Sequence, residues 1–141
     1  DGSLTDANLH AAFKARTGSW PIYPVFHMSQ AFAALQAVYK KASDANGGKF
    51  PNKEQIADAM KGLNFKGLGR SITIRDDGQG IEDQLMGVTK KVDAYPFPII
   101  DDMMILPAAR LMPPVGQKSE DWIATLTPDL VKVEAASFKH R

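Results

Sequence analysis

The stretch that most constrains the fold runs from Tyr23 to Ala45. From Ser29 onward it contains no Gly or Pro and is rich in Ala, Leu, Gln and Lys, which are good helix formers. It therefore predicts a long helix. The expected apolar stripe consists of Ala31, Phe32, Leu35, Val38, Tyr39 and Ala42. The opposite, more polar face is expected to consist of Ala33, Gln36, Lys40 and Asp44. A stripe this broad is typical of a helix that lies against a sheet.

The approach to this helix contains two prolines. Pro21 and Pro24 favour an extended backbone, so residues 25–28 are expected to lead directly into the helix N-terminus. A helix N-terminus carries unpaired amides and a partial positive charge, which suit a carboxylate or another anion. Two interpretations stay open: an anion-binding helix end, or a core helix with no ligand.

Composition restricts the class of protein. A chain of 141 residues suits one domain or a large piece of a bigger one, and its opening helix signal directly after Asp1 is what an excised segment would show. The 44% hydrophobic and 23% charged content is ordinary globular usage. A net charge of +1 with scattered Lys and Arg gives no case for nucleic acid. With no cysteine, disulfides and thiolate chemistry are excluded.

Three helices are expected in the first part of the chain. The first is capped by Ser3 or Thr5 and ends at Gly18. The long helix ends at the 46–48 turn, Asn-Gly-Gly. The third begins after Asn52, where Gln55 completes a capping box. The buried side of the third helix is expected to consist of Ile56, Met60 and Leu63.

The hydrophobic period then changes from helical to alternating. Residues 71–75 alternate polar and apolar, which predicts a half-buried strand with Ile72 and Ile74 towards the core. Turn residues follow within 76–82, and 84–92 reads as a second strand. The sequence thus predicts an antiparallel hairpin.

Prolines limit what the remaining chain can form. They leave room for a strand at Ile99–Leu106, and Ser119 is expected to cap a short helix through Leu126. An edge strand is expected at 130–133 and a frayed terminus at 139–141. The chain is thus expected to be one segment in three parts: 1–66 helical, 67–106 with the hairpin and a strand, and 107–141 a Pro-rich tail with a short helix.

Catalytic signatures are not found. His10, His27 and His140 do not have the spacing of metal ligands. Asp101 and Asp102 are neighbours on a predicted strand and so point to opposite faces, which makes a poor acid/base pair. The sequence predicts no enzyme, no metal and no cofactor. His27 has some interest as a ligand contact because it stands at the expected helix start, although a structural role is the alternative.

The order of elements and one short motif resemble a known family. Residues 67–79 read GLGRSITIRDDGQ after three helices, and 121–123 read DWI. This arrangement is similar to the C-terminal part of type I periplasmic solute-binding proteins, the branched-chain amino-acid-binding family of ABC importers. The resemblance covers about 4–126. It departs at 29–31, Ser-Gln-Ala where the family often has an aromatic residue, Asp and Ala, and at 42–43, Ala-Ser where the family often has Ala-Gly.

The resemblance implies an α/β fold in which this chain supplies a partial lobe. It implies a periplasmic protein that is not an enzyme, that binds a small amino acid or an aromatic or aliphatic carboxylate, and that delivers it to a membrane permease. In the family, a segment that matches the approach to the long helix borders the ligand. The expected ligand-binding residues are therefore Val25, Phe26, His27, Met28 and Ser29.

Two other classes are compatible with the sequence. The same fold serves as the ligand-sensing domain of receptors and regulators, which an adjoining kinase or DNA-binding module would favour. A free-standing small enzyme would need a tight cluster of titratable side chains in a deep pocket, which the sequence does not indicate.

The long helix has no obvious sheet of its own to cover its stripe. If the 141 residues are ordered by themselves, we expect a second copy to bury Phe32, Leu35, Val38 and Tyr39 in a homodimer. A segment of this kind is also expected to bind solute negligibly, because half of the cleft would be missing.

Overall fold

The computed structural model describes residues 6–68, 71–129 and 139–140. The fold is mixed α and β, with helices and two small sheets, each of three strands. The chain divides into two compact units between Gly80 and Ile81, which are treated separately below. The predicted cap at Ser3 or Thr5 and the predicted strand at 130–133 lie outside the described residues.

The first unit contains the three predicted helices. They are α1 (Asp6–Thr17), α2 (Tyr23–Ala45) and α3 (Lys53–Met60). Gly18 ends α1 as expected: its φ is +72°, a conformation that glycine adopts without steric penalty, and its amide donates to the Lys14 carbonyl at 2.9 Å.

The start of α2 differs from the prediction. The helix begins at Tyr23, so the extended approach ends at Ile22, whose φ and ψ are −112° and 172°. Pro24 fits into the first turn because a helix leaves its first amides unpaired in any case. The Val25 amide already donates to the Ile22 carbonyl at 2.9 Å. The segment expected to precede the helix is therefore its first two turns.

The predicted end of α2 and the predicted cap of α3 are confirmed. Asn46 is the C-cap of α2, and Gly47 and Gly48 follow with φ of +64° and +81°. Asn52 caps α3 through a complete capping box. Its side chain accepts from the Gln55 amide at 2.9 Å, and the Gln55 side chain accepts from the Asn52 amide at 2.9 Å.

The core of the first unit lies between the helices and a small sheet. Strand β1 (Asn64–Lys66) pairs antiparallel with β2 (Ser71–Ile74), and β3 (Gly80–Ile81) lies on the other side of β2. The buried cluster is Val38, Leu63, Phe65 and Ile72, with Ala33, Ala34, Ala37, Ile56, Ala59, Met60 and Ile74 packed against it. The predicted inward orientation of Ile72 and Ile74 is confirmed. Ile56 and Met60 face the cluster as predicted, whereas Leu63 is buried but lies beyond the end of α3.

The predicted hairpin is wrong in its second strand. The turn forms where expected, with the Gly78 amide donating to the Arg75 carbonyl and the Arg75 amide donating to the Gln79 carbonyl, both at 2.9 Å. However, β1 and β3 occupy the two edges of β2, so the later strand has no free edge there. That strand, β4 (Gln84–Lys90), pairs antiparallel with β5 (Ile99–Leu106) in the second unit.

The face that α2 presents to the core agrees with the prediction only in part, since Val38 and Ala42 of the predicted stripe are buried. Ala33 was expected on the more polar face, yet it packs against the buried cluster. Phe32, Leu35 and Tyr39 are instead 64%, 44% and 36% exposed, while Val38 is fully buried. We attribute the difference to the small alanine side chains, which let β1 and α3 approach α2 closely.

The second unit is built on a bulged sheet with the order β4-β5-β6. Residues 139–140 form β6, which pairs with Met104 and Ile105, so the predicted fraying is wrong for these two residues. Met86 pairs with Met104 and Val88 with Asp101, which leaves one extra residue in β5. The bulge includes Asp102 in a left-handed conformation, with φ of +46°.

Short helical segments follow the sheet. A 3-10 turn spans Ala108–Arg110, and the Ala108 amide donates to the Asp83 carboxylate at 3.1 Å. Helix α4 (Ser119–Ile123) begins where predicted but ends earlier. Lys118 occupies the N-cap position and no side chain caps the helix, so the predicted capping role of Ser119 is wrong.

Candidate functional site

The candidate site is a shallow apolar depression at the start of α2, of about 370 Å³. It is lined by Phe13, Pro24, Val25, Met28, Ser29 and Phe32. Val25, Met28 and Phe32 share one helical face because residues three, four and seven apart lie above one another. Phe13 of α1 closes the depression on one side.

The lining favours apolar groups. Among the residues that the structure describes, none with a charged side chain lines the depression. Ser29 supplies the hydroxyl of the site, but its proton is used within the helix, where Oγ donates to the Val25 carbonyl at 2.9 Å. The hydroxyl oxygen is therefore available chiefly as an acceptor. The depression can hold the hydrocarbon part of a small molecule, whereas a charged group would need partners from elsewhere.

The five predicted ligand-binding residues do not all line the depression. Val25, Met28 and Ser29 line the depression, while Phe26 and His27 do not. Each residue turns a helix by about 100°, so neighbours in sequence occupy different faces. His27 is exposed, and its ring stacks against that of Tyr23 with centroids 3.9 Å apart.

Sequence reasoning did not identify Phe13, Pro24 and Phe32 as part of this depression. The sequence could have indicated Phe32, because it lies four residues after Met28 and so extends the same helical face. Phe13 belongs to another helix, and nothing local in the sequence indicates which helix it contacts.

The expected anion anchor is not formed at residues 25–29. Because α2 begins at Tyr23, its free amide end lies about one turn earlier. Pro24 has no amide proton, and the Val25 amide is already bonded to the Ile22 carbonyl. A carboxylate at this depression would therefore not be held by backbone amides of residues 25–29.

A second apolar depression of about 290 Å³ lies along α1. It is lined by Leu9, Ala12, Phe13, Arg16 and Thr17, so Phe13 contributes to both depressions. Arg16 is the charged residue of this lining. The nearby His10 ring lies 4.8 Å from the Trp20 ring, and the Lys14 Nζ lies 3.5 Å from the centre of the same ring. These contacts fix the chain between α1 and α2.

Charged pairs elsewhere differ in exposure: the side chains of Lys90 and Asp101 are exposed, and those of Arg75 and Asp77 are partly buried. Arg75 Nε donates to the Asp77 carboxylate at 3.0 Å, and this hydrogen bonding lowers the pKa of Asp77. Lys90 Nζ donates to Asp101 at 2.8 Å and lowers the pKa of Asp101 in the same way. Both pairs tie neighbouring backbone segments together, and neither borders a depression described above.

The described residues form neither a metal-binding cluster nor a membrane-spanning helix. Within 6–68, 71–129 and 139–140, no three His, Asp or Glu side chains are placed to share a metal ion. None of the helices described is long and apolar enough to cross a membrane. A comparison of the chain with models of known protein families and with curated proteins finds no match.

Proposed function

We propose that the chain is the C-terminal part of an extracytoplasmic solute-binding component of an ABC importer. In this proposal it forms a partial lobe of a type I periplasmic-binding fold, is not an enzyme and delivers its solute to a membrane permease. Support comes from the residues 67–79, GLGRSITIRDDGQ, and from three helices in the order that the resemblance implies.

The observation that carries the proposal is the position of the depression. It lies on the first turns of α2, the segment that the resemblance assigns to the ligand, and includes Val25, Met28 and Ser29. Its apolar lining suits the side chain of a branched-chain or aromatic amino acid, or the ring of an aromatic carboxylate. Phe26 and His27, in the same two turns, are proposed as further contacts.

The described sheets are compatible with this proposal, but they do not form a complete lobe. The pairs β1–β2, β4–β5 and β5–β6 are antiparallel. A doubly wound lobe also needs parallel strands connected through helices. In the proposal those strands, and the charged groups that hold the solute's carboxylate, belong to the other parts of the receptor.

Calorimetric titration of the complete receptor tests the proposal. We expect binding of leucine, phenylalanine or benzoate, and a loss of about tenfold in affinity for Met28→Ala, because the substitution removes apolar contact area. The double variant Phe26→Ala/His27→Ala tests the remaining contacts. Met86→Ala is the control, since Met86 is 59% exposed on β4, outside the depression. Unchanged affinity in both variants would remove this segment from the site.

A further inference from the structure

The exposed stripe of α2 consists of Met28, Phe32, Leu35 and Tyr39, which are 58%, 64%, 44% and 36% exposed. Successive members are four, three and four residues apart, which is the spacing of an apolar seam between two packed helices. The core of the unit takes Val38, with Ala34 and Ala37 packed against the buried cluster, and these residues lie on a different side of the helix from the stripe. The exposed stripe is thus a second apolar face of the same helix.

The surroundings of the exposed stripe are also uncharged. No Asp, Glu, Lys or Arg occurs between Tyr23 and Tyr39. At the far end, the Tyr39 ring lies 5.5 Å from that of Phe50, which is 83% exposed and widens the apolar surface. Contiguous apolar surface of this kind is rare on monomers and marks an interaction site.

We propose that the exposed stripe binds the exposed stripe of a second copy, with the two α2 helices antiparallel about a two-fold axis. Such an interface must be self-complementary. The spacing satisfies this condition, because Met28 and Tyr39 are equally far from the midpoint of the stripe, and so are Phe32 and Leu35. Met28 of one copy therefore packs on Tyr39 of the other, and Phe32 on Leu35.

Charge selects the antiparallel orientation. The first charged residues of α2 are Lys40 and Lys41, near its C-terminal end. Lys40 is paired with Asp44, with Nζ 2.6 Å from the carboxylate, so the charge of Lys41 is the one that a parallel pair would bring beside its own copy, where like charges repel. An antiparallel pair separates the two Lys41 residues along the seam and places the positive end of each helix dipole beside the negative end of the other.

The area involved predicts a weak dimer. A fully buried aromatic side chain removes about 150–250 Å² from water, so these half-exposed residues on two copies bury on the order of 800 Å² together. With the flanking residues, the interface approaches the roughly 1,200 Å² at which specific interfaces begin. We therefore expect a dissociation constant on the order of micromolar rather than nanomolar.

This pairing goes beyond the proposed function and does not depend on it. It is a property of the exposed face of α2. Met28 and Phe32 also line the depression, so the paired form covers part of it. A solute that occupies the depression should therefore favour the unpaired form.

Sedimentation equilibrium of the 141-residue chain from about 1 to 200 µM tests the pairing. We expect the mass to rise from 15.4 kDa towards twice that value. Phe32→Glu and Leu35→Glu each place a charge in the seam and should weaken association at least tenfold. Ala57→Glu, an exposed position on α3, is the matched control and should leave association unchanged. Circular dichroism of each variant confirms that it is folded.

Spin labels test the orientation. The chain has no cysteine, so Ala45→Cys, at an exposed position at the end of α2, provides a single labelling position and keeps both lysines. In the antiparallel pair this position lies at the height of residue 22 of the second copy, so the two labels are offset along the helix axis by about 35 Å at 1.5 Å per residue. A parallel pair would place the two labels at the same height, across helix axes that pack roughly 8–10 Å apart, and so at a shorter separation. That shorter separation, a chain that stays monomeric, or a dimer unaffected by both Glu variants would overturn the proposal.

Discussion

At the scale of single residues, Gly87 marks a place where two strands come too close for a side chain. An added Cβ would lie 2.5 Å from Ile100 Cγ2 and 2.7 Å from the Asp101 carbonyl oxygen. One of these neighbours is backbone and the other is the branch of a stiff side chain, so neither can move aside readily.

We therefore expect Gly87→Ala to lower the free energy of unfolding by about 1–3 kcal/mol, through overpacking at the bulge. Urea denaturation followed by circular dichroism measures the change. Gly80→Ala is the control, because no atom lies within 4 Å of its added Cβ. Equal stability of the two variants would show that β4 and β5 can separate at the bulge without loss.

The Arg75–Asp77 pair gives a residue-scale prediction about pH. The pKa of Asp77 is lowered chiefly by its side-chain hydrogen bond with Arg75. The pair therefore stabilises the fold above the unfolded carboxyl pKa, about 3.9, and this contribution is lost as pH falls through the lower folded value. Arg75→Gln should raise the pKa of Asp77, as measured by carbon-13 NMR titration of its carboxyl group.

Arg75→Lys is the matched variant for that titration. Lysine keeps the positive charge but lacks the planar fork that can donate two hydrogen bonds to one carboxylate. We expect a pKa for Asp77 between those of the original chain and the Gln variant. A pKa that does not change in either variant would mean that the pair is not maintained in solution.

At the scale of elements, the sequence predicted features that depend on neighbouring residues better than it predicted which strands pair. The body of α2, the capping box at Asn52 and the inward orientation of Ile72 follow from propensity, capping chemistry and alternation, which act within a few residues. The partner of β2 could not be predicted in this way. Strand β1 has only three residues and no distinctive pattern, yet it takes one edge of β2, and the two residues of β3 take the other.

Prediction of the candidate site from the sequence was limited in the same way. Val25, Met28 and Ser29 were predicted and come together because they share a helical face. Their predicted chemistry depended on where the helix begins, and Pro24 was interpreted as ending an extended segment, whereas it lies in the first turn. Proline is compatible with both positions, so sequence alone did not distinguish them.

Two helix starts provide a matched pair for mutation. Asn52 accepts a capping hydrogen bond from the Gln55 amide, so Asn52→Ala should lower stability by about 1 kcal/mol. Ser119 makes no capping hydrogen bond at α4, so Ser119→Ala should change stability by less than about 0.5 kcal/mol. Thermal and urea unfolding measure both. A larger loss at Ser119 than at Asn52 would contradict the observed caps.

At the scale of the whole molecule, the two units differ in how much apolar side chain they bury. The first unit contains the cluster of Val38, Leu63, Phe65 and Ile72. In the described part of the second unit, the buried hydrophobic residues are Leu106 and Ala108, and every residue of β4 is exposed. Local opening should therefore require less free energy in the second unit.

Hydrogen exchange measured by mass spectrometry tests this difference. We expect amides of α2, β1 and β2 to exchange at least about tenfold more slowly than those of β4, after correction for intrinsic rates. Dilute protein is used so that pairing through the exposed stripe does not add protection to α2. Slower exchange in β4 than in β2 would show that the second unit has a stabilising contact beyond those described.

The bulge in β5 also has a consequence for changes in chain length. Asp101 pairs with Val88 and Met104 with Met86, so two residues of β5 stand opposite Gly87 alone. Removing Asp102 would leave Met103 opposite Gly87 and would keep every other pair and every side-chain face in β5 unchanged. Removing Met103 would likewise leave Asp102 alone opposite Gly87, whereas removing Ile105 would shift the pairs beyond the bulge. The bulge is therefore a place at which a gene encoding this chain could lose one codon and still specify the same sheet.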